Sequence, residues 1–271
     1  MIMEHSLNTS NLGNARELGG FLIGSKKIRH GCLLRTASLS GLTPEDMKVL
    51  TDDYKLSCIV DLRMKDERDS QPDPVIHDVK NHFLPVMDLQ DYPTLGAEFI
   101  RIISDPNADR IKLMNMAYDT GYFNDDFYVK LILSERGKNA FCGFFECLLN
   151  LPEDRSILWH CTDGKDRTGL ASMLILTALG ADRKTVMEDY MLTNLYNKEK
   201  LDKARAGLAK MSVSDDFRDV ALFGCGAVYE YYMLNALKAM DENYGSPSEY
   251  LKEELGVGKS ECKELQNKFL E

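Results

Sequence analysis

From Ser156 to Gly180 the chain passes through three short regimes: an apolar SILWHC, a charged TDGKDR and an apolar TGLASMLILTALG. The first is continuously apolar, which suits a strand covered on both faces. The last is apolar around nearly its whole circumference, so it reads as a helix buried against a sheet, with Gly180 as its C-cap. A buried strand feeding straight into a buried helix is the repeating unit of α/β folds with parallel sheets. The charged turn between them then lies beyond the strand's end and at the helix N-terminus.

Upstream, LGGFLIGSKKIRHGCLLRTAS predicts a hairpin turning at Gly24 and Ser25, then a strand through Leu33 and Leu34. SGLTPEDMKVLTDDY predicts a helix with Thr43 as N-cap and Pro44 at the first helical position. KLSCIVDLR is the next strand, apolar without a break from Cys58 to Val60, and NHFLPVM is a further one ending near Pro85. From Asp88 to about Asn139 the pattern loosens into polar, helical pieces, an expected insertion placed to act as a lid. KNAFCGFFECLLNL restores an apolar helix that stops at Pro152, and from Asp182 onward the chain reads as helical, broken near Gly207, Gly224 to Gly226 and Gly245 to Pro247. With 271 residues, no repeat and no linker-like tract, the expectation is one domain over 1–271. It is an α/β domain with a mainly parallel central sheet, helices on both sides and a helical insertion at about 88–139.

The formal net charge of -10 repels phosphodiester backbones and anionic membrane surfaces, so nucleic acid is not an expected partner. No run is long and apolar enough to predict a membrane span, and MIMEHSLNTSNLG lacks the basic-then-apolar order of a leader. The seven cysteines are scattered, with no CxxC or Cys/His spacing suited to zinc. A cytoplasmic protein with no disulfide framework and no structural metal is the expectation, secretion by a route not visible in the sequence being the alternative. Cys32, Cys58, Cys142, Cys147, Cys225 and Cys262 read as packing residues, with a protective disulfide from Cys32 or Cys58 to Cys161 as a second reading. His5, His30, His77 and His82 have no partner at catalytic spacing and read as surface or turn residues.

The turn itself carries the chemistry. Successive backbone N–H groups of Thr162, Asp163, Gly164, Lys165, Asp166 and Arg167, reinforced by the helix dipole, would make a cradle for a tetrahedral oxyanion. At the strand end Cys161 feels the same field, which favours the nucleophilic thiolate. Six positions on, the planar fork of Arg167 can hold two oxygens at once. Gly164 lets the chain turn, Thr168 is placed to hydrogen-bond the sulfur or help expel it, and His160 is placed to orient the loop. The bland alternative is an exposed charged turn in which Cys161 is only a small buried hydrophobe.

Cys-x5-Arg-Thr in this setting resembles the cysteine-dependent phosphatases, and HCTDGKDRTG is similar to the bacterial tyrosine and dual-specificity phosphatases with an HCxxGKDRTG loop, the group that includes secreted phosphatases of mycobacteria and Listeria. NARELGG, LLRTASLSGLTPED and IVDLRMKDER match further elements of that family in order. The resemblance implies a three-layer phosphatase fold and hydrolysis in two steps with no cofactor or metal. Cys161 attacks phosphorus, Arg167 and the loop amides hold the equatorial oxygens, and water cleaves the phosphocysteine. It implies a general acid at Asp166, with Asp88 as rival and Asp163 third. It places Arg16, Arg63 and Glu67 in matched segments, where site function and structural ion pairing are both open. Lys165 resembles a loop lysine of phosphatases that accept phosphoinositides. Expected substrates are therefore phosphorylated proteins, with phosphoinositides or inositol phosphates as the alternative and a phosphate-binding pseudoenzyme after that. Tyr92, Phe99, Tyr118, Tyr122 and Phe127 are aromatic candidates in the insertion for contact with a phenyl phosphate.

Overall fold

The computed structural model describes residues 5–91 and 110–271. Its centre is a five-stranded sheet. In chain order the strands are β1 (Arg16–Glu17), β4 (Leu33–Thr36), β5 (Leu56–Asp61), β6 (Lys80–Phe83) and β7 (Ser156–His160), and in space they run β1-β4-β7-β5-β6. All neighbours pair in parallel except β1, which lies antiparallel to β4. A separate hairpin, β2 (Leu22–Ile23) and β3 (Lys26–Lys27), turns at Gly24 with φ +61°, as its sequence predicts.

Alternation along the strands sorts their side chains into two layers. Leu33, Cys58, Val60, Ile157 and Trp159 face the larger core, while Leu34, Leu56, Ile59 and Leu158 face a smaller one with Leu39, Leu42 and Leu50. The smaller layer is closed by α1 (Pro44–Lys48) and the wider turn of Val49–Asp53. Thr43 caps that helix, its Oγ1 accepting the N–H of Asp46 at 3.1 Å. Most of the helices build the larger layer: α4 (Phe127–Leu133), α5 (Glu135–Leu149), α6 (Asp166–Leu179), α7 (Arg183–Tyr196), α10 (Glu230–Tyr244), α11 (Pro247–Leu255) and α12 (Lys259–Phe269). Between these in sequence lie α2 (Lys65–Ser70), α3 (Arg110–Asp119), α8 (Lys198–Leu208) and α9 (Asp215–Gly224). Gly180 ends α6 in the left-handed region at φ +93°. No helix among the described residues is long and apolar enough to cross a membrane.

β6 ends at Phe83, before Pro85, and α5 starts at Glu135, capped by Ser134, where the sequence pattern had it begin at Lys138. Within the stretch read as an insertion, Phe127, Tyr128, Leu131 and Ile132 of α4 are buried in the main core. Of the lid expectation, residues 92–109, with Tyr92 and Phe99, lie outside the described residues. Finally, neither Cys32 nor Cys58 can bridge to Cys161. Cys58 pairs with Ile157, and the Cys32 carbonyl accepts the N–H of Ile157 at 3.0 Å. Both therefore sit four residues back from Cys161, about 13 Å at a strand's rise of about 3.3 Å per residue.

Candidate active site

The loop after β7 is fixed by what its glycine touches. Gly164 has φ +64°, and a Cβ there would stand 2.4 Å from the Thr36 carbonyl oxygen and 2.6 Å from the Ala37 nitrogen. Any side chain would push the loop off the end of β4. Three donors hold it down: Asn14 Nδ2 and an Arg35 terminal nitrogen reach the Gly164 carbonyl at 2.7 and 2.9 Å, and the Ser38 N–H reaches the Thr162 carbonyl at 3.0 Å.

Arg35 and Arg16 are themselves held by one buried carboxylate. Arg16 donates through Nε to Asp189 Oδ1 at 2.9 Å and also binds Asn14, while Arg35 binds the other oxygen of Asp189 and Ser172 Oγ at 2.8 Å. Burial and the neighbouring Arg16 charge pull Arg35 down to about 10. Burial pushes the Asp189 carboxyl up, but the two guanidiniums outweigh it and hold Asp189 below the usual carboxylate range. Arg16 is thus a brace beneath the loop. Replacing Asp189 by Asn would leave two buried guanidiniums with no counter-charge, a loss of about 3–5 kcal/mol. Urea unfolding at neutral pH reads it. Because the folded value is depressed, this stability is present above the unfolded carboxylate pKa of about 3.9 and is lost as pH falls through the folded value below it. The gap between wild type and Asp189→Asn should therefore hold from neutral pH to about 4 and narrow below it.

Arg63 is a second brace. It is buried and donates to both Asp61 oxygens at 2.9 and 2.8 Å, to Ser38 Oγ at 3.1 Å and to the Gln71 carbonyl at 2.8 Å. Asp73 Oδ1 lies 2.9 Å from the same guanidinium. His160 is fully buried, with Nδ1 3.2 Å from the Cys161 carbonyl and Nε2 2.9 Å from Asp73 Oδ2. That second contact is close but poorly aligned, and it counts as charge proximity, not as a directed hydrogen bond.

Cys161 is 1% exposed and lies at the base of the loop. Arg167, also buried, turns both terminal nitrogens to the Glu67 carboxylate, one at 2.9 Å. Glu67 also accepts Thr162 Oγ1 at 2.6 Å and the Met64 N–H at 2.8 Å. Burial alone would lower the guanidinium's pKa, but Glu67, and after it Cys161, raise it well above normal. Two of the five guanidinium N–H groups are used on Glu67 and a longer contact of 3.4 Å reaches Thr162 Oγ1, so the fork is not exhausted by its carboxylate. Thr168 is buried, and its Oγ1 has no hydrogen-bond partner among the described residues. A buried hydroxyl without a partner is uncommon in a folded protein, which sets Thr168 apart from its neighbours.

Asp166 opens α6, and its Oδ1 accepts the Tyr128 hydroxyl at 2.8 Å, which in turn accepts the Tyr190 hydroxyl at 3.0 Å. The rivals are engaged elsewhere: Asp163 pairs with Lys200 at 2.9 Å, and Asp88 Oδ1 accepts the Gln90 N–H at 3.1 Å within its own turn. Lys165 differs from expectation. Its ammonium donates to the Phe223 carbonyl at 2.7 Å, stands 3.3 Å over the Phe223 ring and lies 3.3 Å from Asp166 Oδ1. Burial pulls its pKa down. It acts here as a buried clamp on the last turn of α9 and a neighbour of Asp166. Of the aromatic candidates, Tyr122 and Phe127 are buried, with Tyr122 near enough to Arg167 to bear on its charge, while Tyr118 is 40% exposed and packs edge-on to Phe217. Asn14, Arg35, Asp189 and Tyr128 were not singled out from the sequence. Asn14 and Arg35 lie in segments quoted for other reasons, whereas nothing local marks Asp189 or Tyr128.

A strand, a tight loop with a buried thiol, and an arginine on the first turn of the next helix meet at one place. The profile described as the tyrosine phosphatase family matches residues 7–271, and the chain belongs to that family of hydrolases. Among its relatives, a Cupriavidus necator protein described as a tyrosine-protein phosphatase is 27% identical, over 93% of this chain and 85% of its own length. The triple specificity protein phosphatase PtpB of Mycobacterium tuberculosis is 26% identical over 83% of this chain and 86% of its own. A tyrosine-protein phosphatase of Nostoc commune is 27% identical over 86% and 72% respectively.

Proposed function

We propose that the chain hydrolyses phosphotyrosine esters through a phosphocysteine on Cys161. The observation that carries this reading is the buried Cys161 beneath a loop whose Arg167 is held in place by Glu67. The thiolate attacks phosphorus in line with the ester oxygen, forming the S–P bond as the P–O bond breaks. Loop amides and the free N–H groups of Arg167 take the charge on the equatorial oxygens. Asp166 gives its proton to the departing oxygen, and Tyr128 holds the carboxyl in place. Water then attacks phosphorus, Asp166 takes the water's proton, and the sulfur leaves beside the Thr168 hydroxyl.

A nearly inaccessible sulfur favours phosphate carried on a long, flat aryl group over one on the short stem of serine. Tyr122 and Phe127 pack on each other in the same buried core as Cys161. The test is a panel of phosphotyrosine, phosphoserine and short-chain phosphoinositide substrates at equal concentration. Phosphotyrosine should be turned over fastest, and preferential release from phosphoinositide would overturn the substrate assignment. A relative described as a triple specificity protein phosphatase is the reason to test more than one class of substrate. Asp166→Asn should lower turnover of phosphotyrosine by roughly 10²–10⁴-fold but that of p-nitrophenyl phosphate far less, since a good leaving group needs little protonation. Equal losses on both would assign the proton to another group.

A further inference from the structure

We propose that Cys58, Cys147 and His82 form a binding site for one zinc-class divalent cation, distinct from the phosphate loop. The register sets Cys58 beside Lys80 and Val60 beside His82, so strand alternation turns Cys58 and His82 toward the same face. α5 crosses that face closely enough that a Cβ on Gly143 would stand 2.9 Å from the Leu84 side chain, and one turn later it delivers Cys147. The two sulfurs and an imidazole nitrogen lie within 4.8 Å of one another. They open on a cavity of about 630 Å³ that Asp78, Lys80 and Glu146 also line.

Thiolate and imidazole are the donors zinc selects, at about 2.3 Å and 2.0–2.1 Å. Around a tetrahedral ion those lengths separate the donor atoms by roughly 3.5–3.8 Å, so closing the site takes a shift of about an ångström at most. Three protein ligands leave the fourth position facing the cavity, where water or the Glu146 carboxylate can reach it. Each thiol releases its proton to solvent on binding, and two thiolates cancel the charge of a divalent ion. The bound site is then neutral, which suits the presence of Lys80. A disulfide between the two sulfurs would give His82 no part. The ligands come from three separate elements, 24 and 65 positions apart by their numbering, so no local spacing could announce the site.

The test uses the full chain with Cys161→Ser, so that the catalytic thiol cannot contribute, held reduced by a non-thiol phosphine. Titration with Co²⁺ should produce sulfur-to-metal charge transfer and the visible bands of tetrahedral cobalt, saturating at one ion per chain and discharged by one equivalent of Zn²⁺. His82→Ala and Cys147→Ser should each weaken Co²⁺ binding at least about a hundredfold, the upper range for losing even an outer-shell partner. His82 is only partly buried on β6, so its replacement keeps the test valid if Cys147→Ser folds poorly. Cys262→Ser, away from the cluster, should change nothing. No cobalt bands in the reduced chain, or bands unaltered in the His82 and Cys147 variants, would overturn the site. So would a chain that takes up no cobalt but forms a Cys58–Cys147 disulfide on exposure to peroxide.

Discussion

Cys161→Ser should abolish phosphotyrosine hydrolysis, a loss on the order of 10⁶-fold in kcat, while inorganic phosphate should still bind. The hydroxyl of serine stays protonated where a thiol ionises, so the attack on phosphorus is lost. Everything that receives the oxyanion is untouched, because Gly164, the loop amides and the Arg167–Glu67 pair do not depend on the sulfur. Phosphate release and calorimetric binding of phosphate read the two halves of the statement separately. Turnover within about tenfold of wild type would place the nucleophile elsewhere.

Arg167→Lys is the second large effect, a fall of roughly 10²–10³-fold that appears mainly in kcat. Lysine keeps the charge beside Glu67, so thermal stability should change little. What disappears is the fork that binds Glu67 with two nitrogens and still has N–H groups for phosphate. Those bonds tighten as charge builds on the equatorial oxygens, so their loss is felt most in the transition state. A change in KM alone, with kcat preserved, would mean that Arg167 binds substrate and transition state equally.

What the sequence disclosed and what it concealed divide along the range of the interactions. The β7–loop–α6 unit was legible because strand, glycine, cysteine and arginine are contiguous and each has a local physical reason. The braces were half legible: Arg16 and Arg63 could be picked out, but whether they served the site or the scaffold depended on Asp189 and on Asp61 with Asp73. Lys165 was only half legible for the same reason. A lysine inside the loop suggests phosphate contact, and only Phe223, 58 residues on, shows that its ammonium is already engaged. α4 was grouped with an insertion because its flanks are polar, although Phe127, Tyr128, Leu131 and Ile132 form a stripe that the main core buries. Tyr128 could not be tied to Asp166 without that packing, nor Cys58 to His82 and Cys147 without the strand register.

Phosphate should pass through the sulfur of Cys161 on its way from the ester to water. Rapid acid quench of the enzyme turning over phosphotyrosine, followed by peptide mass mapping, measures it directly. A transient phosphate adduct should appear on the peptide bearing Cys161, accumulate further in Asp166→Asn when a good leaving group is used, and be absent in Cys161→Ser. Full turnover with no adduct on that peptide, or an adduct on any other residue, would contradict the account.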